Sequence, residues 1–174
     1  SEHSYMSFTL EPSEGSLRAR DYHPTYAIFD PGCTKTMCGK EWLLSYLQYI
    51  GADYRSIPKK SSNTVFSFAD GQGNKIRSLF RAQIPVRLGG GLFSDLEVEV
   101  MPGSTTLLLS IRLLKAWGAE WHAKTGVLVM DGANNIRRSI QLIQDGGHQV
   151  LDLWQTIKDE VDLGFMTQDC PYWD

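Results

Sequence analysis

One carboxylate in this sequence sits where a charge is costly. Asp30 ends the apolar run Tyr26-Ala27-Ile28-Phe29, and Pro31 and Gly32 turn the chain immediately after it. A carboxylate at the tip of a buried strand must be compensated for lost hydration. Such placements concentrate where the group does acid–base or electrostatic work. The competing reading is an aspartate that opens an ordinary turn, as aspartates commonly do. In either case Pro31, Gly32, Cys33 and Thr34 form the loop that shapes its surroundings. Other chemistry-bearing residues are sparse. Cys33, Cys38 and Cys170 are an odd number, which fits a reducing compartment better than a disulfide framework. Cys33 and Cys38 have no matching second pair and no histidine close by, so no zinc site, and no cofactor of any kind, is expected.

Several elements must position that loop. Residues 1–23 read as an N-terminal arm, in which Phe8 and Leu10 suit one short strand interrupted by Pro12 and Gly15. Tyr26 to Phe29 reads as a buried strand. Glu41 to Ile50 reads as a helix, because Trp42, Leu43, Tyr46, Leu47 and Ile50 share one face; Glu41 suits its first turn and Gly51 its stop. From Ser61 the period becomes two. Val65 to Phe68 and Ile76 to Phe80 predict a hairpin around Asp70-Gly71-Gln72-Gly73-Asn74, a glycine-rich tip. Such a hairpin is commonly an inert surface feature, and a mobile one can close over a ligand. Gln83 to Leu88 and Leu92 to Val100 flank Gly89-Gly90-Gly91, Leu107 to Leu109 forms a buried strand, and Ile111 to Trp117 a short helix. Trp121 and Val127 to Met130 predict a hairpin, Ser139 to Ile143 and Gln149 to Leu153 another, and Trp154 to Val161 a helix. Many short strands with glycine turns predict an all-β sandwich or barrel. The domain is read as residues 24–153, followed by a C-terminal extension at 154–174.

The totals exclude several classes. A length of 174 residues suits one domain with a substantial core. The net charge of −3 gives no electrostatic footprint for nucleic acid, and Lys59-Lys60 and Arg137-Arg138 read as solvated loop charges. No apolar run approaches the roughly 20 residues of a membrane helix. No basic-then-apolar signal pattern opens the chain, which begins on Ser1 as a segment cut from a longer precursor would. An intracellular, cytoplasmic location is expected.

Three stretches together resemble the retropepsin-like aspartic proteases, especially those of long-terminal-repeat retrotransposons. Ala27 to Leu43, Ala-Ile-Phe-Asp-Pro-Gly-Cys-Thr-Lys-Thr-Met-Cys-Gly-Lys-Glu-Trp-Leu, is similar to that family's apolar strand, Asp-Thr/Ser-Gly loop and following segment. Phe68-Ala-Asp-Gly-Gln-Gly falls where the family has its flap, and Leu107 to Ala119 resembles the strand, turn and helix behind the catalytic loop. Gly147 to Leu153 is similar to the tail of such domains. The resemblance covers roughly Tyr26 to Leu153 and implies an all-β, closed acid-protease barrel with short helices, one lobe per chain. It implies a homodimer acting on a peptide or protein substrate, with Asp30 catalytic and Ala69, Asp70, Gly71, Gln72 and Gly73 as the substrate flap. Two aspartates share one proton and hold a water between them; one acts as base on the water while the other protonates the peptide carbonyl. Only Asp30 follows an apolar run and precedes x-Gly. Asp70-Gly71, Asp131-Gly132 and Asp145-Gly146 read as hairpin turns, so each chain supplies one aspartate across a two-fold axis.

Pro31 departs from the family pattern, which has Thr or Ser. That hydroxyl bonds across the dimer to the opposite loop, and proline offers neither a hydroxyl nor an N–H. Thr34 lies nearby as a substitute hydroxyl. The departure predicts a weaker dimer, a slower enzyme or a domesticated domain kept for binding. Three readings follow: an aspartic endopeptidase that processes a polyprotein or other proteins, a catalytically weak or inactive binding and dimerisation module, and an unrelated β-barrel in which Asp30 is a turn residue.

Overall fold

Short apolar runs punctuated by glycine turns produce a mostly β-sheet chain with few short helices. The computed structural model describes residues 3–6, 22–68, 73–88, 92–131 and 136–155. In chain order the elements are β1 (His3–Met6), β2 (Tyr26–Phe29), β3 (Met37–Gly39), α1 (Lys40–Ile50), a 3-10 turn at Tyr54–Ser56, β4 (Lys59–Lys60), β5 (Val65–Phe68), β6 (Lys75–Arg77) and β7 (Phe80–Leu88). They continue with β8 (Leu92–Met101), β9 (Leu108–Leu109), α2 (Ile111–Ala116), β10 (Glu120–His122), β11 (Val127–Asp131), β12 (Arg137–Gln141), β13 (Ile143–Asp145) and β14 (His148–Asp152).

The largest sheet runs β13-β14-β2-β9-β3-β8-β7-β4, and two three-stranded sheets run β1-β5-β6 and β10-β11-β12. The expected closed barrel is not found among the described residues. The large sheet ends at β13 on one side and β4 on the other. β4 is only Lys59–Lys60, both exposed, and charged lysines on a short strand are a common way to blunt a sheet edge.

The β7–β8 hairpin is the longest ladder, in register from Phe80↔Val100 to Leu88↔Leu92. Ala82, Ile84, Val86 and Leu88 alternate inward and meet Leu96, Val98 and Val100 from β8. Pro85 lies opposite Asp95 of β8 and is tolerated because Gln83 and Arg87, two residues either side, direct their N–H groups away from β8, to Pro58 at 3.0 Å and Leu153 at 2.8 Å, and on that side β4 reaches only Arg81 and Ala82. α1 covers this core with Trp42, Leu43, Tyr46 and Leu47, the face expected from its spacing. Trp42 and Tyr46 stack with ring centroids 5.0 Å apart, and the Tyr46 hydroxyl donates to the Pro85 carbonyl at 2.7 Å. Gly51 ends the helix at φ 76°, a left-handed conformation that favours glycine.

Where the structure differs from the sequence reading, the cause is tertiary. β3 and β4 are too short to show a period. The strand expected over Ile76 to Phe80 breaks at Ser78 and Leu79, where the chain passes from one sheet to another. Ser78 N–H donates to Thr64 at 2.8 Å and Leu79 N–H to Val100 at 2.7 Å. The strand expected over Ser139 to Ile143 divides at Leu142, whose N–H donates to Gly126 at 2.8 Å. Lys59 and Lys60, read as loop charges, form β4, and Arg137 and Arg138 begin β12, with Arg138 buried. Trp154, expected to open a helix, instead bridges Arg87 in parallel. Gln155 N–H likewise donates to the Arg87 carbonyl at 2.8 Å, while residues 156–161 of that helix, and the strand around Phe8 and Leu10, lie outside the described residues.

Candidate active site

β2 delivers Asp30 to a turn whose geometry follows from its residues. Cys33 N–H donates to the Asp30 carbonyl at 3.0 Å, and Gly32 N–H donates to Asp30 Oδ1 at 3.0 Å. Pro31 is therefore the first central residue of a β-turn, where its fixed φ fits. Gly32 is not among the positive-φ glycines, which excludes a type II turn. The turn draws on the N–H groups of residues 32 and 33 and asks for none from residue 31. Proline thus costs nothing within the chain.

The loop then spans the end of another strand. β9 lies between β2 and β3, parallel to the first at Phe29↔Leu109 and antiparallel to the second at Met37↔Leu108. Asp30 N–H donates to the Leu109 carbonyl at 3.1 Å, and Ser110 N–H donates to Thr36 Oγ1 at 3.1 Å. Both ends of the loop are therefore tied to the strand that it straddles. Asp30 is held 6% exposed, and its near neighbours in the chain, Ile28 and Cys33, belong to an apolar cluster with Met37, Phe66 and Leu108.

Asp30 and Pro31 line a groove of about 330 Å³ together with Trp121, Gln144, His148 and Gln149. Sequence reasoning did not place these last four at the site. Their approach is set by strand pairing: β14 runs antiparallel to β2 at Val150↔Ile28, and that register, continued toward the turn, brings His148 alongside Asp30. Trp121 stacks on Phe29 at 5.2 Å and donates from Nε1 to Gln149 Oε1. The one available signal was the closing Gly147-His148 stretch, which by itself carries no position.

Thr34 faces a second cleft, of about 270 Å³, lined also by Lys35, Arg81, Glu99 and Ser110. Glu99 is 3% exposed and paired with Arg81 at 3.0 Å. Lys35 Nζ donates to Thr64 Oγ1 at 3.1 Å, and burial, followed by the Arg81 charge, lowers its pKa. Of the candidate flap residues, Ala69, Asp70, Gly71 and Gln72 lie outside the described residues. Gly73 is exposed at φ 69°, as a glycine at a hairpin tip permits.

Cys33 is excluded as the nucleophile. Its buried thiol donates to the Lys35 carbonyl at 2.9 Å, and burial pushes its pKa up to about 12. Burial also raises Cys38, which has no exposed surface. Both thiols should therefore resist alkylation in the native chain near neutral pH and react after denaturation. Quantitative labelling of either in the folded protein would contradict this burial. Because the folded pKa of Cys33 exceeds its ordinary 9.0, the stability from keeping it protonated is fully present below pH 9.0 and lost as pH rises toward 12.

No group of three or more His, Cys, Asp or Glu residues suited to a metal occurs among the described residues. No helix of the described residues is long and apolar enough to cross a membrane. No protein-family model matches the chain, and comparison with curated proteins and with solved structures gives no significant match.

Proposed function

We propose that this chain is one half of an aspartic endopeptidase of the retropepsin-like, retrotransposon type, which processes a polyprotein or other proteins as a homodimer. The observation that supports it is Asp30 held in a turn that straddles β9, with Gly32 N–H on Oδ1 at 3.0 Å and the loop tied at both ends. Fixing a carboxylate in this way prepares it for chemistry, because misplacement by about 1 Å can cost on the order of a hundredfold in rate. In the dimer two Asp30 side chains approach across the two-fold axis. Two such close carboxylates share one proton, and their titrations belong to the pair. The ionised oxygen removes a proton from the bound water as that water attacks the peptide carbon. The protonated carboxyl donates to the developing oxyanion; the adduct then collapses as the C–N bond breaks, the carboxyl that took the water's proton passing it to the leaving nitrogen while the other carboxylate takes back a hydroxyl proton. An extended substrate lies beneath the β5–β6 hairpin and pairs with backbone as a strand.

The alternative is a dimerisation or binding module that retains the groove without turnover. Pro31 favours it, because residue 31 offers no hydroxyl or N–H to a second loop. The experiment that separates the two is cleavage of an unbiased peptide library from about pH 4 to 7, where carboxylate pairs work as acid and base. Turnover that pepstatin blocks supports the endopeptidase. A chain that dimerises and cleaves nothing supports the module.

Pro31→Thr tests the interloop contact directly. Each restored hydrogen bond contributes about 1 kcal/mol, so two across the axis should tighten the dimer by at least about tenfold. Loss of proline's rigidity should lower chain stability by about 0.5–1 kcal/mol. Sedimentation equilibrium and urea unfolding read the two effects. An unchanged dimer constant would remove the interloop contact from the proposal.

A further inference from the structure

One of the two three-stranded sheets contains a strand that does not belong to its hairpin. β5 and β6 are consecutive and antiparallel, whereas β1 comes from the far N-terminus and pairs with β5 in parallel, from His3↔Val65 to Met6↔Phe68. Among the described residues β1 pairs with nothing else. β5 is anchored on its inner side: Phe66 is fully buried against Ile28, Cys33, Met37 and Leu108, the residues that carry the Asp30 turn. Thr64, just before β5, receives the Lys35 ammonium at 3.1 Å. The outer edge of β5 therefore lies on an element fastened to the Asp30 loop, and an extended backbone segment already occupies it.

We propose that the β5 edge is a peptide-binding edge and that the chain's own residues 3–6 fill it as an internal competitor of extended peptides. This rests on the reading of the Asp30 loop as a peptide-processing site. The recognition is strand addition. Main-chain hydrogen bonds supply the affinity, so the edge tolerates many sequences and the native occupant is replaceable by a peptide in trans. The tether raises the local concentration of residues 3–6 to roughly the millimolar range. A peptide from solution binds only the fraction of molecules whose edge is open, and its apparent affinity falls by that fraction.

The test uses the full chain carrying Asp30→Asn, so that nothing is cleaved, with and without Ser4→Pro and Tyr5→Pro. Prolines there withdraw N–H donors from β1 and leave the elements around Asp30 intact. Fluorescence anisotropy measures binding of a labelled peptide with the sequence of residues 1–7. The proline variant is expected to bind it at least about tenfold more tightly than the parent, with faster amide exchange at residues 65–68 before peptide is added. Equal affinity for both chains, or no binding to either, overturns the proposal. Turnover is read separately in the Asp30 background. Competition without turnover retains the peptide edge and sinks only the endopeptidase. Turnover unaffected by the prolines retains the endopeptidase and sinks the competitor.

Discussion

Asp30→Asn is expected to lower peptide turnover by more than about a thousandfold while changing chain stability by less than about 1 kcal/mol. The two halves of that expectation have different origins. Asparagine has nearly the same shape, and its Oδ1 can still accept the Gly32 N–H that Asp30 Oδ1 accepts at 3.0 Å. The turn closed by Cys33 N–H on the residue 30 carbonyl uses backbone alone, so the substitution leaves it in place. What asparagine lacks is a proton that can be taken up and given back at accessible pH. In the proposed dimer both members of the pair are lost at once, and neither activation of water nor protonation of the carbonyl survives. Library cleavage and urea unfolding on the same preparation check both halves. Turnover equal to the parent's would assign the cleavage to another group. Loss of fold together with activity would make Asp30 a structural residue.

The largest stability effect should come from Gly39→Ala. Gly39 has φ −78° and ψ 150°, a conformation open to any residue, so its backbone does not require glycine. Space does. A Cβ there would lie 2.3 Å from the Gly103 carbonyl oxygen, 2.6 Å from the Thr105 nitrogen and 2.7 Å from the Gly103 carbonyl carbon. All three are backbone atoms, so no side-chain rotation relieves the contact. The two segments are also pinned together, by Gly39 N–H to Thr105 O at 2.8 Å and Glu41 N–H to Gly103 O at 3.0 Å. One methyl group should therefore separate β3 and the start of α1 from residues 103–105, at a loss of about 3 kcal/mol or more. Gly51→Ala is the control. At φ 76° it meets open space, and its cost is the conformational one of about 1 kcal/mol. If urea unfolding gives the two variants equal stabilities, close approach is not what selects glycine at 39.

Much of the scaffold was legible because it is local. The face formed by Trp42, Leu43, Tyr46 and Leu47 follows from helical spacing, and Gly51 from the left-handed turn that ends the helix. The alternation from Gln83 to Leu88 and from Leu96 to Val100 likewise declares two half-buried strands, the first of which starts earlier, at Phe80. Asp30 stood out because an apolar strand ran straight into a charge. β3, with only Met37, Cys38 and Gly39, has no measurable period and exists because β8 and β9 hold it from either side.

The sequence by itself determined that the chain is mostly strand, and where the longest helix and hairpin of the described residues lie. Each of these depends on residues close together in the chain. Only the tertiary structure decided that β9 passes between the arms of the Asp30 loop, that His148 and Trp121 share its groove, that Gly39 is needed for space, and that residues 3–6 pair with β5. Those facts depend on strand register and close backbone approach between distant segments, and backbone hydrogen bonding of that kind leaves almost no mark on residue type.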